Sequence, residues 1–314
     1  MESGNFQPVH HNFLLRNTII NFDLFGVEGG KYNLIRRSFL PVIDELFKEI
    51  EENTAGKVYI RNSDLENYQA YLEENLDAIV NNKGVSVQEK ASMLIDIGKR
   101  ITKQVYGNPK NIDYLKRCHG LINNLITYLD CNENALLYFE EVIPDNYQLH
   151  VHCLNVSILS LALGMEMGIK DSNELIDLGL GALLHDVGMT IVPQVIRSKT
   201  DKLTDREYIM IRKHVSWGAN ILEESKFLSK KALIPIWQHH ERIDGNGYPF
   251  RIRGDELDLF GKISAITVVF DALNTNRPYR KAISSFPALK EMISIKGAFD
   301  PKVLTVFVKM MGGK

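Results

Sequence analysis

The spacing of hydrophobic and polar positions changes about sixty residues into the chain. Before that point, short runs rich in β-forming residues alternate with glycine-containing turns, over 18–25, 31–36 and 57–61. Between them, residues 40–51 carry apolar side chains at helical spacing. This pattern predicts a small α+β module over residues 1–62.

From residue 63 onward, apolar positions recur at helical spacing. The sequence Ser63-Asp64-Leu65-Glu66 has the form of a capping box, and an apolar helical stripe follows it. Similar stripes cover 87–106 and 112–129. We therefore predict a helical linking or regulatory region over residues 63–142, with no low-complexity linker.

The pattern after residue 143 predicts helices alone. A capping box at Asp171 and Glu174 is expected to open a helix over 175–184, and Thr204 is expected to open one that carries His214. Further helices are predicted from Pro235 and over 263–273 and 302–311. The predicted fold is mainly α: an all-α C-terminal domain at 143–314, preceded by linking helices and a small α+β module.

Composition excludes several classes of protein. A hydrophobic content of 45%, a charged content of 24% and a net charge of −2 predict a globular protein that binds neither nucleic-acid polymers nor anionic lipid through a general field. The most apolar long segment, 151–169, is interrupted by His152, Asn155 and Glu166, which favours a buried helix over a membrane span. The odd number of cysteines, without C-x-x-C spacing, favours reduced thiols and a cytoplasmic location.

Histidines concentrate in one part of the chain, where six of the nine lie between His150 and His240. A single histidine is most often a hydrogen-bonded core or surface residue, and this interpretation suits His10, His11, His119 and also His150, which points to a different side of its helix from His152. The others follow or interrupt apolar helical runs, where titratable groups require partners. The candidates for metal ligands are His152, His185, Asp186, His214, His239 and His240.

The stretch HHERIDGNGYP, at 239–249, places further polar groups beside two of these histidines. Glu241 and Asp244 are candidates to accept hydrogen bonds from imidazole rings and to fix their orientation. The Gly-x-Gly-Tyr-Pro turn adds a stiff aromatic element. We expect this stretch to supply both ligands and a wall to a site assembled from several helices.

Five stretches together resemble the HD-GYP family of cyclic dinucleotide phosphodiesterases, within the HD metal-dependent phosphohydrolases. They are LHVHCLNVSILSLALGMEMG, LLHDVGM, KLTDREYIMIRKHVSWGANIL, HHERIDGNGYP and FDALNTNRPYRKA. The resemblance covers residues 143–312, and the HHExxDGxGYP stretch is its most specific motif. It implies that the C-terminal domain is a helical HD-type domain.

The resemblance also implies roles for individual residues. The candidate ligands named above would hold two transition-metal ions, with iron or manganese favoured and zinc as the alternative, and Asp186 would bridge them. His185 and Asp186 would carry catalysis. Residues implied on the substrate side are Gly247, Tyr248, Asp271, Arg277 and Arg280. On sequence alone, the two arginines fit a solvated helix start equally well.

Three positions depart from the family pattern. Met189 stands where the family has a lysine, and a thioether cannot donate a hydrogen bond to phosphate. Val268 stands where a late metal-binding aspartate is expected, so its methyl groups would face the metal pocket. Gln148 replaces a carboxylate found in members with a third metal. These departures predict a weaker first metal and reduced activity.

Three functions remain open at this point. The first is a metal-dependent phosphodiesterase that hydrolyses cyclic di-GMP or a related cyclic dinucleotide. The second is a weakly active or inactive domain that binds the nucleotide and reports it to a partner. The third is an HD phosphohydrolase of mononucleotides, which gives the GYP turn no purpose. Expected partners are the cyclic dinucleotide, with a signalling protein or a second copy of the chain also open, and neither a membrane nor a nucleic-acid polymer.

Overall fold

The computed structural model of the protein describes residues 5–54, 57–132, 134–142, 148–276 and 280–312. The chain divides into two compact units, 1–93 and 94–314. The division falls inside a long helix, Val87–Gly107. The predicted domain boundaries near residues 62 and 142 stay predictions.

The first unit contains a four-stranded antiparallel sheet in the order β1-β6-β3-β4 and a two-stranded sheet of β2 and β5. The strands are β1 (Phe6–His10), β2 (Ile19–Ile20), β3 (Leu24–Glu28), β4 (Lys31–Arg36), β5 (Leu40–Pro41) and β6 (Lys57–Arg61). Helix α1 (Asp44–Thr54) packs against the larger sheet and buries Leu46 and Ile50. The predicted α+β module is thus present, with β1 as an additional strand and with Leu40–Pro41 in strand β5 rather than in the helix predicted over 40–51.

Three helices follow the sheet: α2 (Leu65–Glu74), α3 (Leu76–Val80) and α4 (Val87–Gly107). The capping box predicted before α2 is wrong, because the N-cap residue Asp64 makes no side-chain capping hydrogen bond. A short 3-10 helix at Asn62–Asp64 leads into α2 instead. The backbone before the helix is therefore already turned, and Asp64 does not adopt the extended conformation that an N-cap residue usually has.

Within the described residues, the second unit is built from helices. They are α5 (Ile112–Cys131), α6 (Ala135–Val142), α7 (Leu149–Glu166), α8 (Ser172–Leu184), α9 (Gln194–Arg197), α10 (Asp205–Arg212), α11 (His214–Ser225), α12 (Leu233–Gln238), α13 (Leu259–Asn274), α14 (Ser285–Ser294) and α15 (Pro301–Gly312). Helix α7 is central and packs against α8 and α13. The predicted mainly helical fold, with a small sheet module before the helices, is confirmed.

Helix α7 is buried on nearly every side, as expected for a helix that is apolar all round. Its buried polar side chains are satisfied by neighbouring helices: the hydroxyl of Ser157 donates to the carbonyl of Gly179 at 2.8 Å, and the hydroxyls of Ser160 and Thr267 lie 2.9 Å apart. By length and composition, α7 is the one helix among the described residues that qualifies as a membrane span, yet 78% of it is buried inside the protein. The core helix of a globular domain passes the same test.

Two predicted helices of this unit differ in detail from the observed ones. Asp171 caps α8 by accepting from the backbone N–H groups of Asn173 and Glu174, but the side chain of Glu174 pairs with Lys231, so no reciprocal capping box forms. The capping box at Thr204 and Glu207 is present. The helix that it opens ends at Arg212, however, and His214 begins the next helix rather than lying within the first.

Candidate metal centre

Helix ends bring the predicted ligands together. His152 lies in the first turn of α7, and His185 and Asp186 directly follow α8. His214 is the first residue of α11, and His239 and His240 directly follow α12. Side chains at a helix end can extend beyond the helix. Four segments distant in sequence can therefore direct their ligand atoms to one place.

The carboxylate of Asp186 lies at the centre of this arrangement. Its Oδ2 is 3.5 Å from Nε2 of His185 and 3.9 Å from Nε2 of His152. Its Oδ1 is 3.1 Å from Nε2 of His214 and 3.7 Å from Nε2 of His239. Each oxygen therefore faces a different pair of imidazoles.

The ligand atoms form two groups that share Asp186. One group contains His152, His185 and Asp186, and the other contains Asp186, His214, His239 and His240, each with its ligand atoms within 4.8 Å of one another. This is the arrangement that two cations bridged by a carboxylate require. The candidate ligands inferred from the sequence are thus all brought together.

Burial and neighbouring rings set the protonation of the site. Burial alone would raise the pKa of Asp186, but the adjacent His185 and His214 outweigh it and hold the pKa well below its usual value. Burial, together with neighbouring imidazoles, lowers the pKa of both His239 and His240 well below the usual range. An ionised Asp186 beside the neutral rings of His239 and His240 is the state in which these groups bind a divalent cation.

An unsatisfied atom supports the same conclusion. Nε2 of His185 is buried and has no hydrogen-bond partner in the described part of the chain. A buried polar atom without a partner is costly, unless a ligand occupies the space in front of it. This nitrogen and Nε2 of His152 lie 3.5 Å and 3.9 Å from the same carboxylate oxygen, Oδ2 of Asp186. The residues present therefore fit a divalent metal.

Backbone carbonyls orient most of the imidazole rings. Nδ1 of His185 lies 2.7 Å from the carbonyl oxygen of Ala182, and Nδ1 of His214 lies 2.6 Å from that of Ile211. Nδ1 of His239 is likewise 2.9 Å from the carbonyl oxygen of Pro235. In each ring, Nδ1 donates a hydrogen bond to the carbonyl oxygen, so Nε2 carries the lone pair that can bind a metal.

The expectation that Glu241 and Asp244 orient the imidazoles is wrong. The buried carboxylate of Glu241 accepts from the backbone N–H groups of Phe250, Arg251 and Ile252, at 2.6–3.2 Å. Asp244 instead pairs with Arg242 at 2.8 Å, and this contact lowers the pKa of its carboxyl to about 2. Both acids hold the shape of the turn, because the backbone amides and the arginine lie closer to them than any ring does.

His152 is oriented by a carboxylate rather than by a carbonyl. Oδ2 of Asp271, on α13, is 2.5 Å from Nδ1 of His152, and Oδ1 of Asp271 accepts from the amide of Asn155 at 3.0 Å. Asp271 was expected on the substrate side, but its carboxylate is buried against this ligand and this amide. The sequence offered one signal for the amide, since Asn155 interrupts an otherwise apolar helix.

We expect Asp271→Asn to weaken metal retention, because the neutral amide no longer raises the basicity of the His152 ring. Loss of such a supporting acceptor typically lowers metal affinity about 10–100-fold. The measurement is metal content after dialysis against graded chelator. Thr275→Val is the matched control, since it removes only the 3.4 Å hydroxyl contact to Oδ2 of Asp271. Equal metal retention in Asp271→Asn and in the wild-type protein would contradict this role.

The turn after Asp186 packs against the start of α11 without space for a side chain. A methyl group at Gly188 would lie 1.9 Å from the carbonyl oxygen of His214 and 2.6 Å from the amide nitrogen of Gly218. This contact holds Asp186 and His214 at a fixed separation. Met189, the next residue, is half-buried and offers no hydrogen-bond donor.

Val268 lies in an apolar cluster with Val156 and Ala182. Val156 is one helical turn beyond His152, and Ala182 is one turn before His185, so the cluster adjoins the first group of ligands. The side chain is therefore packed against aliphatic neighbours, and the expectation that its methyl groups face the metal pocket gains no support. Gln148, the N-cap residue of α7, is exposed.

The substrate-side candidates are distributed around the second group of ligands. The ring of Tyr248 stacks on the ring of His240, with centroids 4.5 Å apart and planes at 21°. Gly247 has no space for a side chain, since a methyl group there would lie 2.5 Å from the backbone of Glu241 and Arg242. Arg280 donates to the carbonyl oxygen of Ala272 on α13. Arg277 lies outside the described residues.

The C-terminal half of the chain matches a known family and several known proteins. The family described as HD domain matches residues 139–303. Cyclic di-GMP phosphodiesterase PA4108 of Pseudomonas aeruginosa is 35% identical over 179 residues, which cover 57% of this chain and 43% of that protein. The 3'3'-cGAMP-specific phosphodiesterase 2 of Vibrio cholerae is 38% identical over 128 residues, which cover 40% of this chain and 24% of that protein. The matches span less than half the length of these relatives.

A solved structure shares the fold over nearly the whole chain. Bd1817, an HDG"Y"P protein from Bdellovibrio bacteriovorus, matches 98% of this chain and 99% of its own with a TM-score of 0.70, at 22% identity. The match extends beyond the helical domain and includes the sheet module, so the fold is shared along its length. The resemblance to HD-GYP proteins is confirmed, and the chain belongs to the HD domain family.

Proposed function

We propose that the protein is a metal-dependent phosphodiesterase that opens cyclic di-GMP or a related cyclic dinucleotide. The observation that carries the proposal is the position of Asp186, whose two carboxylate oxygens face different groups of imidazoles. This geometry suits a pair of cations, which supply Lewis-acid chemistry to a phosphodiester when bound. The relatives named as cyclic di-GMP and cGAMP phosphodiesterases support the class of substrate.

The metals we propose are iron or manganese, with zinc as the alternative. Mixed imidazole and carboxylate ligation suits these borderline cations better than magnesium or calcium, which prefer oxygen ligands. His152, His185 and Asp186 would hold one ion, and Asp186, His214, His239 and His240 would hold the other. His185 and Asp186 are the proposed catalytic residues: Asp186 is shared by the two groups, and His185 precedes it in the first group.

The residues around the second group would hold the nucleotide. Tyr248 lies on His240 and would offer its ring to the substrate, and Gly247 allows the turn that carries Tyr248 to pack on the backbone of Glu241 and Arg242. Arg277 and Arg280 are proposed to contact phosphate or guanine, and the hydrogen bond from Arg280 to Ala272 fixes one edge of its guanidinium. The buried Asp271 would act through His152.

A second function is favoured by two of the departures. Met189 supplies no donor to phosphate, and Val268 lies among aliphatic side chains where a carboxylate ligand was expected. A domain altered in this way would retain the nucleotide pocket and report its occupancy to a protein partner or a second copy of the chain. We place this sensor second, because the full set of imidazoles and Asp186 is held in ligand geometry.

Turnover distinguishes the two functions. Protein loaded with iron or manganese under anaerobic conditions is expected to convert labelled cyclic di-GMP to its linear dinucleotide, and chelator-treated protein is expected to be inactive. Met189→Lys should increase the rate, because an ammonium group would stabilise charge that develops on the phosphate. Nucleotide binding without any product from the metal-loaded protein would replace the enzyme with the sensor.

A further inference from the structure

A cation to which the family resemblance assigned no role lies beside the proposed substrate pocket. Arg212 is the last residue of α10, two residues before the ligand His214. The helix ends at this point, and the segment that follows packs against the turn at Gly188. Arg212 is half-buried, in contrast to the exposed Arg206 on the same helix. The charged group thus lies at the junction of α10 and α11, two residues before a ligand.

Ring contacts connect Arg212 to the metal centre. Its guanidinium carbon lies 4.7 Å from the centroid of the Tyr248 ring and 4.5 Å from that of Tyr208. Tyr248 in turn stacks on His240. Contacts of a guanidinium with aromatic rings restrict its orientation and leave the N–H groups at its edge available as donors. The two tyrosine rings therefore hold the guanidinium of Arg212 in a defined position beside the metal centre.

The hydrogen-bonding capacity of Arg212 is largely unused. Its Nε is buried and lacks a partner among the described residues, and the guanidinium makes one long contact, of 3.5 Å, to the hydroxyl of Tyr208. No ion pair found in the described part of the chain involves its guanidinium. A half-buried cation with free donors and no counter-ion indicates that an anion completes the site.

A phosphate diester is the anion that this site fits best. The planar fork of a guanidinium matches two phosphate oxygens, and such paired contacts are charge-assisted. A cyclic dinucleotide carries two phosphates, of which the proposed metal centre would hold one. We propose that Arg212, held by Tyr208 and Tyr248, binds the other phosphate. The inference rests on the proposed function and deepens it, because it names a residue for the phosphate that does not react.

The experiment is a binding titration with cyclic di-GMP, using the metal-loaded full chain and rapid mixing before turnover. Arg212→Met retains an unbranched chain but no charge or donor, and it should weaken binding about tenfold to a hundredfold. Arg212→Lys retains the charge without the fork and should fall between the two. Arg206→Met is the matched control, because it removes an exposed cation from the same helix. Metal content and far-ultraviolet circular dichroism show that each variant is folded.

The dependence on salt tests the phosphate contact itself. Because an ionic contact is screened, rising salt should weaken binding by the wild-type protein more than binding by Arg212→Met. Parallel salt dependence would assign Arg212 to a base and overturn the inference, as would wild-type affinity in Arg212→Met. In either case the proposed function would stand. If the metal-loaded wild-type protein binds neither cyclic di-GMP nor 3'3'-cGAMP, the proposed function fails, and this inference fails with it.

Discussion

Asp186→Ala is expected to reduce metal content from about two ions per chain to nearly none. Both groups of imidazoles depend on this one carboxylate, since Oδ1 and Oδ2 face different pairs of rings. Removal of the carboxylate also removes the anion that offsets the charge of two dications among neutral rings. Turnover of cyclic di-GMP should be lost together with the metal. Elemental analysis of anaerobically purified protein measures the metal directly.

His214→Ala is the informative comparison for Asp186→Ala. It removes a ligand from the second group only, so we expect it to lower metal content less than Asp186→Ala does. Asp201→Ala, at an exposed position outside the site, is the control for loss of a carboxylate and should retain the full content. Full metal occupancy in Asp186→Ala would exclude a shared bridging carboxylate.

Val268→Asp should produce the largest change in folding stability. Val268 is 6% exposed and packs against Val156 and Ala182, so the substitution places a carboxylate among aliphatic side chains. An unpaired buried charge costs roughly 3–5 kcal/mol of the free energy of unfolding. We therefore expect metal-free Val268→Asp to unfold at a much lower denaturant concentration than the wild-type protein.

Added metal separates two outcomes for Val268→Asp. If the new carboxylate reaches the first group of ligands, iron or manganese will restore much of the lost stability and will bind more tightly than to the wild-type protein. Val268→Ala, which creates a cavity without a charge, is the control. Added metal should stabilise this variant no more than it stabilises the wild-type protein. No recovery in Val268→Asp would show that position 268 does not belong to the metal pocket.

The ligands could be predicted from the sequence because their signals are local. A histidine followed by an aspartate after an apolar helix, or two histidines ahead of a Gly-x-Gly-Tyr-Pro turn, stands out in a short window. The strands β4 and β6 were predicted for the same reason. Strand β1 was not, because Pro8 interrupts its pattern. Proline is tolerated there since β1 lies at the edge of the sheet, where a missing N–H is not needed for a ladder.

The support around the ligands could not be predicted, because it joins segments distant in sequence. Asp271 meets His152 across 119 residues, and no local pattern specifies that contact. The break between α10 and α11 carries neither glycine nor proline. It is explained by the close packing of His214 on Gly188, which depends on the folded domain. Glu241 was assigned to an imidazole because the sequence does not show that three backbone amides of the following turn lie closer.

The use of carbonyl oxygens to orient His185, His214 and His239 bears on how this site can change over generations. A carbonyl is supplied by whichever residue occupies the position, so substitutions at Ala182 or Ile211 that preserve the helix leave the ring orientation intact. Substitutions at the residues that supply these carbonyls therefore do not change the orientation of the three ligands. His152 differs, because its acceptor is the side chain of Asp271. Single-base changes at codon 271 are therefore a direct genetic route for adjusting one metal without disturbing the other.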